Sequence, residues 1–226
     1  MKARQRTQAR VLIALGAVVA VASVIAFVPW NGSDNKPTPQ PSPTVGKLLD
    51  ANGTALATLL TNARKHTFHA RYAVQGDPAV IGGTLGLEWW NTPDHSRLDT
   101  TRTQGGKVVK TASIVNDDQG ASCQKDGSSA WTCKQIDVPA AGDPGGIVAN
   151  LTGQLSGRAV TQHADTVQGH HALCFNVAGG TEPIDVCTNS DGVLLRNASA
   201  KTKFEISSLD TKVPDSIFKA PAAVLR

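Results

Sequence analysis

The chain has few aromatic residues and little net charge. Only 4% of its 226 residues are Phe, Trp or Tyr, and it contains a single Met. Its formal net charge is +4, and four of its basic residues lie before residue 11 (Lys2, Arg4, Arg6 and Arg10). The rest of the chain therefore has as many basic as acidic residues. A basic surface for nucleic acid is not indicated, and we predict no nucleic-acid partner.

The sequence motifs of common enzymes are also absent. The chain has no GxSxG, HExxH, Walker loop or GxGxxG. Two SxxK matches begin at Ser122 and Ser216, but neither KTG nor SDN accompanies them. His66 and His69 form HxxH, but His69 falls at a strand position that faces away from the apolar side. We therefore predict a protein that is not an enzyme, with no catalytic residue, no metal site and no cofactor.

Cysteine is scarce, and its spacing predicts disulfides. Cys123 and Cys133 bracket one turn signal, Cys174 and Cys187 bracket another, and no CxxC is present. Four cysteines allow three pairings. We predict the sequential one, Cys123 with Cys133 and Cys174 with Cys187, because it needs only local hairpins that bring each pair within bonding distance. Such bonds are typical of proteins outside the cytoplasm.

The first 44 residues predict a membrane anchor and a tether. The four basic residues precede an uninterrupted apolar run over 11–28, whose eighteen residues would form about 27 Å of helix. Pro29, Trp30 and a Pro-rich stretch follow. We predict a single-pass cell-membrane protein with a cytoplasmic N-terminus and an extracytoplasmic domain. The alternative is a signal peptide cleaved after Ala22. The predicted units are 1–30 (basic tail and transmembrane anchor), 31–44 (tether) and 45–226 (one domain).

The remaining chain predicts an α+β domain with two helices and about eleven antiparallel strands. Apolar residues recur at helical spacing over 45–66, with Thr44 as N-cap, and the period then changes to two. A second helix is predicted over 144–156. The connections are short, which favours antiparallel neighbours. The predicted strands span 68–75, 81–89, 95–103, 107–116, 121–124, 130–136, 159–164, 169–178, 184–188, 193–199 and 202–209.

The second disulfide hairpin fixes which side chains share a face. If Cys174 lies opposite Cys187, then Phe175 pairs with Val186 and Asn176 lies opposite Asp185. Side chains alternate along a strand, so the apolar pairs occupy one face and the disulfide the other. The same alternation in the other strands predicts one common apolar face. Its members are Phe68, Tyr72, Leu85, Leu87, Trp89, Phe175, Val177, Ile184, Phe204 and Ile206, with Ile147, Leu151 and Leu155 of the second helix as cover.

The order of elements and several segments resemble a known family. The segments are TFHARYAVQG followed by GGTLGLEWW, PDHSRLD with Pro93, Arg97 and Asp99, WTC at 131–133, HALCFNV at 171–177, and DVCTNSDGVLLR ending at Arg196. Together they resemble the LolA-like lipoprotein-carrier superfamily over roughly residues 45–221, nearest the actinobacterial LppX/LprG-type lipid-binding proteins. The resemblance implies an unclosed antiparallel half-barrel around an apolar cavity that holds acyl chains. This chain differs in having a predicted transmembrane segment where members have a lipidated Cys or a cleaved signal.

These observations predict a membrane-anchored protein that binds a lipid or a lipidated protein. The thirteen residues of the apolar face and its cover are the candidate lipid-binding residues, and the role is transport or reception. The predicted partners are the ligand, the cytoplasmic membrane and another envelope protein. The alternative is a sensor or protein-interaction ectodomain whose barrel is filled by its own side chains and holds no ligand.

Overall fold

The computed structural model describes residues 49–77, 81, 83–116, 119–137 and 146–225. Two helices, two short 3-10 turns and twelve strands lie in these ranges. In chain order they are α1 (Ala51–Asn62), a 3-10 turn (Ala63–Lys65), β1 (Phe68–Gly76), β2 (Thr84–Asn91), β3 (His95–Gln104), β4 (Lys107–Asn116), β5 (Gln119–Asp126), β6 (Thr132–Ile136), α2 (Ile147–Leu155), β7 (Ala159–Val167), β8 (His170–Ala178), β9 (Ile184–Thr188), β10 (Leu194–Ala198), β11 (Thr202–Asp210), a 3-10 turn (Asp215–Phe218) and β12 (Val224–Leu225).

All the strands belong to one unclosed sheet. Its order is β12-β6-β5-β4-β3-β2-β1-β11-β10-β9-β8-β7, so β12 and β7 are the edges. The pair β12 and β6 is parallel, and the other neighbouring pairs are antiparallel. The predicted α+β class and antiparallel strands are confirmed, with twelve strands in place of about eleven. The additional strand is β12, whose two residues are too few to show an alternation in the sequence.

The beginning of β2 differs from the prediction. The predicted strand begins at residue 81, whereas β2 begins at Thr84. Ile81 is helical, and its N–H donates to the carbonyl of Asp77 at 2.9 Å, which closes a helical turn. Gly83 then enters the strand with a φ of 128°, and a Cβ at this position would lie 1.9 Å from the carbonyl oxygen of Thr103. Only glycine fits this close approach of two strands.

The start of α1 also corrects the prediction. The predicted N-cap, Thr44, lies outside the described residues, and the helix begins at Ala51 with Asp50 as its N-cap. The Asp50 carboxylate accepts hydrogen bonds from the N–H of Gly53 at 2.6 Å and of Val160 at 3.0 Å. These backbone hydrogen bonds lower the pKa of Asp50. The same residue therefore caps the helix and ties it to the edge strand β7.

Two apolar clusters pack on the sheet. The larger one joins α1 and α2 to the face that carries Leu87, Trp89 and Phe175, which we call the helix face, and it also includes the second disulfide on the opposite face. The smaller one lies on the other side, the outer face, where Ala112 and Ile114 pack with the first disulfide and with residues of the C-terminal segment. The sequence predicts this segment only as a Pro-containing tail, so its role as cover for β4 to β6 is a finding of the structure.

Both predicted disulfides are confirmed. Cys123 is bonded to Cys133 and Cys174 to Cys187, and the described residues contain no free cysteine. The register of β8 and β9 also matches the prediction, with Phe175 opposite Val186 on the helix face. Both disulfides lie on the outer face, as the alternation along each strand requires.

The N-terminal predictions fall outside the described residues. These are the apolar run over 11–28, the cleavage site after Ala22 and the tether over 31–44. Among the described residues, no helix has the length and apolar character needed to cross a membrane. The anchor, the tether and the domain boundaries therefore stay predictions.

Candidate functional site

The structure brings the thirteen predicted lipid-binding residues into one cluster. Twelve of them are buried, and Leu85 is half-buried and packs against the others. Nine of the thirteen lie in the packed interior around the two helices. The other four, Tyr72, Leu87, Ile147 and Phe204, line a cleft. The predicted face is thus mostly core, and the candidate site is its cleft-lining part.

The cleft lies between α2 and the strands β1, β2, β10 and β11. Leu194 and Asn197 complete its lining, and its internal volume is about 20 Å³, room for about one water molecule. This volume is far below that of small-molecule sites, so an acyl chain would enter only if α2 moves aside. Four of the six lining residues are aliphatic or Phe, so the surface suits a hydrocarbon.

Leu194 and Asn197 are site residues that the sequence pattern missed. The pairing of β10 with β9 shifts between Leu194 and Arg196, which marks a β-bulge. A bulge adds one residue to one strand and breaks the period of two, so the alternation cannot be followed across it. Asn197 pairs with Phe204 and Val186, which places it on the helix face. No hydrogen bond of its side-chain amide is found within the described ranges.

Tyr72 presents its ring to the cleft, while its hydroxyl is engaged. The hydroxyl donates to the carbonyl oxygen of Leu194 at 3.0 Å, across two strands. Burial raises the pKa of Tyr72, so the phenol stays neutral. This hydrogen bond satisfies the polar atom and fixes the orientation of the ring, which leaves an apolar surface for a ligand.

Helix α2 covers the cleft and is weakly fixed at its beginning. Its N-cap is Gly146, in the left-handed conformation with a φ of 68°, and no side chain caps the helix there. No acidic residue lies in the first turn and no basic residue in the last. Four of its side chains, including Ile147 and Leu151, are nevertheless buried against the sheet and α1. Packing, rather than capping, therefore holds this helix.

Two other clefts in the described part are larger and less apolar. One, of about 200 Å³, lies beside the β2–β3 turn and is lined by Arg64, Asp94, His95 and other polar residues. The second, of about 240 Å³, lies between the outer face of β4 to β6 and the C-terminal segment, and three amide side chains line it. Neither lining matches a hydrocarbon chain as the cleft beside α2 does.

The outer face carries an ionic cluster over the second disulfide. Arg196 binds Asp165 at 2.7 Å and Asp185 at 2.8 Å, and its guanidinium lies 3.9 Å from the Cys174 sulfur. The hydrogen bond from Arg196 is the main cause that lowers the pKa of Asp165. Within the described ranges, two groups have metal-ligand spacing. One joins His163 and Asp165 to Cys174, and the other joins Asp185 to Cys174 and Cys187. A disulfide offers no thiolate, so this arrangement is a structural ion-pair cluster.

Comparisons with known proteins give structural neighbours only. No family model matches the chain, and no curated protein matches it. The crystal structure of MucB is 14% identical, with a TM-score of 0.47, over 75% of this chain and 63% of the MucB chain. The crystal structure of LprF from Mycobacterium bovis is 14% identical, with a TM-score of 0.44, over 79% of this chain and 100% of LprF.

The two neighbours have LolA-like folds, the family that the sequence resembles. This chain spans less than two thirds of the length of MucB. Identities of 14% and TM-scores below 0.5 assign neither a ligand nor a partner to the chain. The functional argument therefore depends on the cleft itself.

Proposed function

We propose that the domain binds the acyl chain of a lipid or of a lipidated protein in the cleft beside α2. The observation that carries this proposal is the cleft lining. Tyr72, Leu87, Leu194 and Phe204 supply an apolar surface from four strands, and Ile147 covers it from the helix. The ligand would leave water by extending under α2, and no catalytic step is involved.

A comparison of energies favours a mechanism in which α2 moves away from the sheet only when an acyl chain binds. Lifting α2 would expose its four buried side chains, Ile147, Val148, Leu151 and Leu155, at roughly 1.5 to 3 kcal/mol each, or about 6 to 12 kcal/mol together. An acyl chain gains about 0.8 kcal/mol for each methylene that leaves water, so twelve methylenes gain about 10 kcal/mol. A bound acyl chain can therefore replace the contacts between α2 and the sheet, whereas α2 stays packed on the sheet when no acyl chain is bound.

The proposed setting is the outer side of a membrane. The apolar run over 11–28 would anchor the protein with its N-terminus in the cytoplasm, and the stretch over 31–44 would tether the domain. Two disulfides suit an oxidising compartment. In this setting the unclosed sheet acts as a half-barrel that receives acyl chains close to the bilayer, in transport or as a receptor.

A second candidate function, protein interaction, is favoured by the edge strand β7. This strand has nine residues and is mostly exposed. The Val160 N–H and carbonyl, which point away from β8, are bonded to Asp50 and Asn52. By alternation, the corresponding groups of Gln162 and Ala164 also point outward, and no hydrogen bond to them is found within the described ranges. An extended segment of another envelope protein could add to this edge.

Filling the cleft should block acyl binding. We expect Asn197→Phe to weaken binding of a fluorescent fatty-acyl probe by about tenfold or more, equivalent to about 1.4 kcal/mol. The added ring would occupy space in the cleft, and the substitution removes no hydrogen bond found in the described part. Probe titration with the portion 45–226, followed by fluorescence, measures the change.

The matched control is Asn176→Phe. Asn176 is exposed on the outer face of β8, so the same substitution there leaves the cleft unchanged. Equal uptake by the two variants and the parent would exclude this cleft as the site. If no form takes up the probe, the acyl-binding proposal fails and the interaction function at β7 becomes the better explanation.

A further inference from the structure

A cationic side chain lies on the helix face beside the cleft. Arg102 of β3 is directly opposite Leu85 of β2, and the preceding residue on the same face, Thr100, is opposite Leu87. Side chains directly opposite are about 5 Å apart, and diagonal ones about 7 to 8 Å. Leu87 lines the cleft, so the long Arg102 side chain lies within reach of one end of it.

Arg102 lacks the partners that a half-buried guanidinium usually has. Its Nε atom is buried and has no hydrogen-bond partner in the part of the chain that the structure describes. Within the described ranges, no carboxylate lies within 4.0 Å of its guanidinium. A buried polar hydrogen without an acceptor is costly, and such groups in native proteins commonly mark a site for water, an ion or a ligand.

The one carboxylate that the register places on the same face near Arg102 belongs to Asp126. It lies two strands away, because Arg102 is opposite Val109 and Val109 is opposite Asp126. Asp126 is exposed and accepts a hydrogen bond from Gln124 at 2.9 Å. Among the described residues, Arg102 is thus a cation without a counter-ion, next to an apolar cleft.

We propose that Arg102 binds the anionic headgroup of an amphiphile whose acyl chain occupies the cleft. This inference depends on the proposed function and adds the class of ligand to it. A guanidinium offers several N–H donors in a fixed plane, which suits the oxygens of a phosphate, sulfate or carboxylate. The headgroup would satisfy the buried Nε, and the apolar lining would hold the chain.

Paired probes that differ only in charge test this proposal. The full chain in phosphatidylcholine nanodiscs would be irradiated with a diazirine-bearing hexadecyl sulfate or with the matching hexadecanol. Mass spectrometry would then quantify adducts on the peptides that contain Tyr72, Leu87 and Phe204. We expect the sulfate to label these peptides about tenfold more efficiently than the alcohol, the effect of one charge-assisted hydrogen bond.

Substitutions at Arg102 should remove this preference without removing the cleft. Arg102→Gln should bring the ratio of sulfate to alcohol labelling close to one, whereas Arg102→Lys keeps the charge and should keep most of the ratio. The matched control is Lys110→Gln, since Lys110 is an exposed cation on the outer face of the neighbouring strand β4.

The possible outcomes distinguish headgroup binding by Arg102 from acyl binding in the cleft. Equal labelling of the cleft by both probes in the parent protein would overturn the headgroup role and leave acyl binding in place. A preference for sulfate that persists in Arg102→Gln would also overturn it. No labelling of the cleft by either probe would overturn the proposed function itself, and the inference with it.

Discussion

Replacing Arg97 with Ala should lower the free energy of unfolding by about 3 kcal/mol, the lower end of the cost of removing one partner from a buried ion pair, because Asp99 is half-buried. Arg97 is buried, and its guanidinium binds both carboxylate oxygens of Asp99, at 2.6 and 2.9 Å. It also donates to the carbonyl of Ile217 at 2.6 Å. Its loss leaves Asp99 unpaired, and burial already raises the pKa of this carboxyl.

The same substitution should loosen the C-terminal segment. Besides Arg97, the side-chain amide of Asn116 holds this segment, through the carbonyl of Phe218 at 3.1 Å. Urea unfolding measures the stability change, and limited proteolysis followed by mass spectrometry should show earlier cleavage after residue 211.

Arg71→Ala is the matched control for this prediction. Arg71 lies on the same face of the sheet and binds Glu88 at 3.1 Å, but its side chain is 56% exposed. An exposed ion pair contributes about 1 kcal/mol or less. If both substitutions lower stability equally, Arg97 does not anchor the C-terminal segment. The packing of this segment on the first disulfide and Ile114 would then have another cause.

Replacing Cys174 and Cys187 together with Ala should lower stability by about 2 to 5 kcal/mol while preserving acyl binding. The bond closes a loop with a sequence separation of 13 residues, which constrains the unfolded chain. Both sulfurs are buried, so the substitution also removes packing beneath Arg196. Binding should survive because the disulfide lies on the face opposite the cleft.

Probe titration at a temperature where the variant remains folded measures the second part of this prediction. Cys123→Ala with Cys133→Ala is the matched control, since that bond also lies on the outer face and has a similar separation of 10 residues. Acyl binding that disappears in the folded Cys174 and Cys187 variant alone would mean that the second hairpin shapes the cleft directly.

The sequence predicts features that depend on local periodicity. The separation of Cys174 and Cys187 is sufficient to set the register of β8 and β9, because antiparallel pairing obeys a constant sum of residue numbers. Alternation in β1 and β2 then assigns residues such as Phe68 and Trp89 to the helix face. For these residues, which side chains meet could be predicted without coordinates.

Features that depend on irregular backbone or distant contacts could not be predicted. A bulge in β10 conceals Leu194 and Asn197, and β12 is too short to show a pattern. Asp50, the N-cap of α1, also accepts a hydrogen bond from the N–H of Val160 in β7, 110 residues away. Which residues of the apolar face form the core and which line the cleft depends on how closely the side chains pack. Alternation along a strand carries no information about this packing.

Native mass spectrometry of the portion 45–226, purified without detergent from the cell envelope, tests acyl binding most directly. The expected spectrum contains a fraction of the protein with an added mass that fragments to an acyl-bearing amphiphile, and this fraction should fall sharply in Asn197→Phe but not in Asn176→Phe. A spectrum of ligand-free protein alone, together with no uptake of an added amphiphile, would contradict acyl binding in the cleft.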